Sequence, residues 1–169
     1  TTLVTPQGSK RHVAAQFTPF DYLGESRLLL LLADVTERHE SWAQLHLVQA
    51  ALEAAPDGVA ITDARGAVEW VNPAFERMTG YALADIRGRN PRVLKSGRHP
   101  PEFYARLWST IRSGQVWAGE IENCRRDGSL YTEHMTVAPV RDDQGRITHF
   151  VAIKQDISEH KQLEQQLAR

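Results

Sequence analysis

The chain has 169 residues, 41% hydrophobic and 24% charged, with a formal net charge of −1. That is room for one ordinary domain and part of a second, since domains run to roughly 100–150 residues. The near-neutral balance gives no electrostatic ground for a nucleic-acid partner or for direct membrane contact. One cysteine, Cys124, excludes an internal disulfide, argues against a structural zinc site and fits a reducing cytoplasm.

In chain order, the first feature is half of a repeat. GSKRHVAAQFTP at residues 8–19 has the same shape as GSLYTEHMTVAP at residues 128–139. Each is followed by a polar turn, an apolar strand and an Asp-x-Ser/Thr-Glu junction, DVTERHE at 34–40 and DISEHKQ at 156–162. A repeat this long is a supersecondary unit. Residues 1–35 therefore read as the last two strands of one domain, ahead of a complete second domain. The longest apolar run, LLLLLA at 28–33, is strand-sized, far below the ~20 residues of a membrane helix.

Residues 36–55 predict a linker helix, with Leu45, Val48, Leu52 and Ala55 on one stripe and Thr36 as its N-cap. Pro56-Asp57-Gly58 ends it. A complete domain is expected over 56–157. It opens with strands at 59–63 and 67–72 around an Ala-Arg-Gly turn. A helix follows at 73–80, begun by Pro73 and closed by Gly80, and then a short helical piece at 84–88. Residues 90–101 are irregular, and 102–112 form a helix with Phe103, Leu107 and Ile111 on one face. Strands at 116–125, 130–140 and 147–155 complete the set, and a polar helix at 158–169 carries Leu163 and Leu167. Five strands with short helices between the second and third predict an α+β fold with the helices over one sheet face. Each leucine stripe suits either self-association or packing on its own domain.

Strand alternation then singles out residues on the wrong face. Around the Arg126-Asp127-Gly128-Ser129 turn, the odd-numbered residues are the more apolar and should face the helices. An odd loop length is needed for both odd sets to share that face. Asn123 and Glu133 then interrupt it side by side, with Trp117 on the same face. A buried carboxylate without a partner costs several kcal/mol. These groups must therefore either reach water or backbone, or meet a polar ligand inside the domain; Trp117 is either core or one wall of a flat-ligand pocket.

PDGVAITDARGAVEWVNPAFERMTGY, GRNPRVLKSGRHPPEFYARLW, WAGEIENCRRDGSLY and TVAPVRDDQGRITHFVAIKQDIS resemble the PAS sensor domains almost continuously over residues 50–160. The resemblance implies a five-stranded antiparallel sheet in the order 2-1-5-4-3, helices enclosing a cavity, and flanking signalling helices. GRNPRVLKSG is similar to the light-oxygen-voltage subgroup, whose motif has Cys where Pro91 stands, so the thiol adduct chemistry of that subgroup is excluded here. The subgroup's ring-binding positions fall at Asn123, Glu133 and Lys154; Asn90 and Arg92 match its motif, with Arg92 at a phosphate contact. The chain also resembles the FAD-containing redox and oxygen sensors of bacterial regulators. That likeness implies FAD, with Asn123 and Glu133 on the pyrimidine edge and Trp117 beside the ring. Heme is the lesser alternative, through His99, and a cofactor-free dimerisation module is the other. No nucleophile–base pair or phosphate loop points to an enzyme. The expected partners are a second copy through the flanking helices and a kinase or cyclic-di-GMP output domain.

Overall fold

The computed structural model describes residues 1–168 and divides into two units, Thr1–Ala50 and Ala51–Arg169. Arg169, the last residue of the expected C-terminal helix, lies outside the described residues.

The first unit is an antiparallel sheet in the order β1-β2-β3, built from β1 (Thr2–Val4), β2 (Lys10–Tyr22) and β3 (Glu25–Asp34). Two strands were expected. The third, β1, pairs Thr2 with His12 through Val4 with Lys10. Its turn is made by Gly8 at φ 84, whose N–H donates to the Thr5 carbonyl at 2.8 Å. Helix α1 (Thr36–Ala54) follows. Thr36 is not its cap as expected, but its first residue. Its hydroxyl donates to Asp34 Oδ1 at 2.5 Å and accepts the His12 N–H at 2.8 Å, which ties the helix start to β2.

The second unit contains β4 (Gly58–Asp63), β5 (Val68–Val71), α2 (Pro73–Thr79), α3 (Leu83–Ile86), a 3₁₀ turn (Pro91–Leu94) and α4 (Pro101–Arg112). These are followed by β6 (Trp117–Cys124), β7 (Leu130–Arg141), β8 (Ile147–Asp156) and α5 (Ser158–Leu167). The sheet order is β5-β4-β8-β7-β6, antiparallel throughout. Numbered within the domain this is 2-1-5-4-3, so the first and last strands lie side by side at the centre.

Local chemistry sets each corner. Asp63 Oδ1 accepts the Arg65 and Ala67 N–H groups at 2.9 and 2.8 Å, and Gly66 takes φ +87 to close the β4–β5 turn. Asn72, fully buried, caps α2 through the Phe75 N–H at 2.9 Å and also accepts the Val59 N–H at 2.8 Å. Its amide donates to the Leu52 and Asp57 carbonyls at 3.1 and 2.9 Å, so one side chain satisfies four backbone groups where the domain begins. Gly80 ends α2 in the left-handed region at φ 76.

The helices cover one sheet face and divide its core in two. Phe75 and Ile86 pack with Ala60, Val68, Val71 and Leu94; Leu107 and Ile111 of α4 pack with Ile121, Met135, Val137 and Phe150. Each of these side chains larger than alanine contributes about 1.5–3 kcal/mol on burial. Between the two clusters the interior is open.

Candidate functional site

The β6–β7 register pairs Asn123 with Tyr131 and Cys124 with Leu130, leaving the odd loop 125–129. The odd-numbered Ile121, Asn123, Tyr131, Glu133, Met135 and Val137 are all buried, as alternation required. Asn123 Nδ2 donates to Glu133 Oε1 at 3.0 Å. Lys154 Nζ on β8 donates to the same oxygen at 2.6 Å, with side-chain exposures of 4% for the lysine and 0% for the glutamate. The polar residues therefore satisfy neither alternative alone: they meet one another, and a lysine that alternation had not flagged. Glu133 Oε2 keeps no hydrogen-bond partner, nor does the buried Tyr131 hydroxyl beside it. Burial first, and the Glu133 charge second, push the Tyr131 hydroxyl far above its ordinary value.

Asn123 and Lys154 of this cluster close one end of a cavity of about 110 Å³ between the two core clusters, whereas Glu133 does not line it. A water needs roughly 10–15 Å³ on the same measure, so the space is many times that of one solvent molecule. Its body is apolar, with Val68, Leu94, Ile111 and Phe150 among the walls, and Asn123 and Lys154 stand at the polar end. Asn90 lines it while its Oδ1 accepts the Arg92 N–H at 3.0 Å and starts the 3₁₀ turn. Arg92 is exposed and also borders the cavity, as does Pro91. Trp117 does not line it: the indole turns edge-on to Phe103, 5.7 Å away, and lies over Gly119.

Tyr104 and Trp108 of α4 were missed as cavity walls. They sit one residue around from the Phe103/Leu107/Ile111 stripe, at an i, i+4 spacing that could have revealed them. The Tyr104 hydroxyl is buried without a partner and raised by burial, and Lys95 Nζ lies 3.6 Å from the ring centre. The histidines are engaged elsewhere. His99 Nε2 accepts the Glu122 N–H at 2.8 Å and its ring stacks on Phe103; His149 meets Glu69; His134 is exposed. Among the described residues no cluster of His, Cys, Asp or Glu could hold a metal. Cys124 is half-buried on the opposite sheet face.

From the sheet the site reaches the C-terminal helix. Asp156 Oδ2 pairs with Arg125 at 2.7 Å, and its Oδ1 accepts the Ser158 N–H at 2.9 Å, where α5 begins. Burial alone would raise the Asp156 carboxyl, but the hydrogen bonds from Ser158 and Arg125 outweigh it and hold it below the ordinary value. Arg125 also lies over the Tyr131 ring, 4.4 Å from its centre, and donates to the Met78 carbonyl.

A five-stranded antiparallel sheet, helices on one face and a cavity between them define an α+β domain with an internal cavity. The PAS domain family model matches residues 56–159, and the chain belongs to that family. It is 42% identical over 116 residues to a nitrogen fixation regulatory protein of Klebsiella oxytoca, covering 69% of this chain and 23% of that protein. The chain thus spans less than a quarter of that relative's length. Among solved structures it resembles an RNA-binding light-oxygen-voltage receptor, with TM-score 0.69 and 27% identity over 94% of this chain and 42% of that one. A light-oxygen-voltage domain studied with a flavin analogue matches at TM-score 0.61 and 25% identity, over 69% of this chain and 87% of that one. Among the described residues, no helix is long and apolar enough to cross a membrane.

Proposed function

We propose that this chain is the sensory module of a bacterial signalling protein, binding FAD without a covalent bond and reading its redox state. The observation that carries this reading is the apolar cavity ended by Asn123 and Lys154, both hydrogen-bonded to the buried Glu133, whose Oε2 lacks a partner. A flavin ring has a flat apolar body and an imide edge that alternates acceptor, donor, acceptor. The amide of Asn123 and the ammonium of Lys154 offer donors, and Glu133 Oε2 offers the acceptor; Trp108, Phe150 and the aliphatic walls suit the body. A flavin bound there would supply reversible electron uptake. The likeness to a nitrogen fixation regulatory protein supports a regulatory role, and the likeness to a light-oxygen-voltage domain studied with a flavin analogue supports the class of guest. Pro91 at the cavity wall, and Cys124 on the other face, leave no thiol for adduct formation.

The protein itself binds, orients and relays; it is not an enzyme. A change of charge at the guest reorganises the Asn123–Glu133–Lys154 hydrogen bonds, then β7 and β8, then the Asp156 junction and α5. The module works in the cytoplasm and hands its signal to a kinase or cyclic-di-GMP output domain. The test is the absorption spectrum of freshly purified protein, followed by chromatography of the released chromophore. A dithionite-bleached flavin band with FAD released supports the reading; protein that stays colourless after refolding with excess FAD overturns it.

A cofactor-free dimerisation module is the second reading, favoured by the exposure of Leu45 and Val48 on α1 and Leu163 and Leu167 on α5. Colourless protein with the mass of a dimer would select it.

A further inference from the structure

Lys154 occupies a position shared by no other described residue: it lines both the inner cavity and a second, surface pocket of about 450 Å³. The second pocket is polar, bordered by Asp57, Arg77, Arg125, Gln155 and Asp156. The cavity on the other side is apolar. Lys154 thus stands between a wet pocket and a dry interior, and its partner Glu133, which lines neither, keeps Oε2 unpartnered at 0% exposure.

We propose that this pair is a proton port, carrying protons between the surface pocket and a basic or redox-active guest in the cavity. The inference rests on the flavin reading for its guest, but the port itself is a property of the protein. One N–H bond of Lys154 breaks and an O–H bond forms at Glu133 Oε1, 2.6 Å away. The amine left behind takes a proton from water in the surface pocket. The carboxyl group turns, presents its O–H to the cavity, and returns to carboxylate as the proton leaves for the guest. Electrons reach the guest from an external reductant. At each stage the pair carries no net charge or a single transient one, which makes two facing groups cheaper to switch in a dry interior than one alone. The other groups bearing on it are Asn123, Tyr131 and Asp156 from the sheet, Arg125 just after β6, Asp57 and Arg77 at the pocket, and Lys95, which lines the cavity where its backbone bridges Asn123.

Two measurements test it. The first uses protein without added flavin, with lysine nitrogens labelled, and follows exchange of the Lys154 Nζ hydrogens with water by nuclear magnetic resonance. A port predicts exchange that speeds up at least threefold as a small buffer acid–base pair is raised from low to high concentration. Exchange indifferent to the buffer overturns the port, whatever colour the protein has. The second uses flavin-loaded protein and Lys154→Arg, which keeps the positive charge and donors but cannot release a proton. Dithionite supplies the electrons. Counted per bound flavin, bleaching should slow at least tenfold in K154R and lose its dependence on deuterated solvent; equal rates per bound flavin overturn the port. Should the wild type bind no flavin, the flavin reading fails and the exchange experiment alone decides the port. The same holds should K154R lose its flavin.

Discussion

The hairpins β2–β3 and β7–β8 share one register and differ in what they bury. Pro19 lies opposite Leu28 as Pro139 lies opposite Phe150; Ala15 faces Leu32 as Met135 faces Lys154; Val13 faces Asp34 as Glu133 faces Asp156. Both end in the same clamp. Asp34 Oδ1 accepts the Thr36 N–H and the Thr36 hydroxyl accepts the His12 N–H; Asp156 Oδ1 accepts the Ser158 N–H and the Ser158 hydroxyl accepts the Thr132 N–H. Yet Leu28 is 63% exposed and Phe150 3%. At the positions of Glu133 and Lys154 the first hairpin carries Val13 and Leu32. The repeated part is backbone and junction; the ionic site belongs to the second domain alone, and the helices packed over its sheet create its interior.

That contrast can be broken by matched substitutions. Phe150→Ala should cost about 3–5 kcal/mol in urea unfolding of the second unit, whereas Leu28→Ala should stay within about 0.5 kcal/mol. Similar costs at both would mean that the two hairpins are equally buried in solution. Lys154→Met strands a buried carboxylate and should also cost about 3–5 kcal/mol. Importing the first hairpin's residues as Glu133→Val/Lys154→Leu should recover most of that stability while abolishing flavin binding. Recovered stability together with retained flavin would remove the site from the cluster.

Smaller effects sharpen the shared part. Asp156→Ala should cost about 1 kcal/mol through the lost helix-start hydrogen bond, and Asp34→Ala should hasten amide exchange at Thr36. Both carboxyls are held below their ordinary values, Asp34 chiefly by the Thr36 hydroxyl hydrogen bond and Asp156 by bonds that outweigh burial. A depressed folded value means their stabilisation is complete above the unfolded pKa of about 3.9 and fades as pH falls through the lower folded value. Helix-start protection at both junctions should therefore weaken in acid, and no such weakening in D156A would confirm the source. At the other extreme, unfolded tyrosine ionises near pH 10 while the raised Tyr131 stays neutral, so stability should decline as pH rises past about 10. Tyr131→Phe should flatten that alkaline decline, the smallest effect of the set.

Much of this was legible in the residues themselves. Alternation placed Asn123 and Glu133 on the inner face, because a pleated strand has a period of two and the odd loop keeps it in phase. The repeat exposed the junction motifs, because Asp-x-Ser/Thr is a local hydrogen-bonding unit. Three things lay beyond that reading. Lys154 on β8 reaches Glu133 on the neighbouring β7, a contact that alternation within one strand does not reveal. Tyr104 and Trp108 became walls through the angle at which α4 lies over the sheet. Trp117 packs edge-on to Phe103, 14 residues earlier, instead of lining the cavity.

The order of residues by itself determined the strands of the second unit, the turns, the Gly80 helix stop and the inward polar pair, since each rests on local chain pattern. Only the tertiary structure decided that the pair and Lys154 hydrogen-bond to one another, that Lys154 stands between a polar pocket and an apolar cavity, and that one hairpin's leucines stay exposed. Those outcomes depend on which distant surfaces meet, and the free energy of a buried charge is set by the partner it finds there.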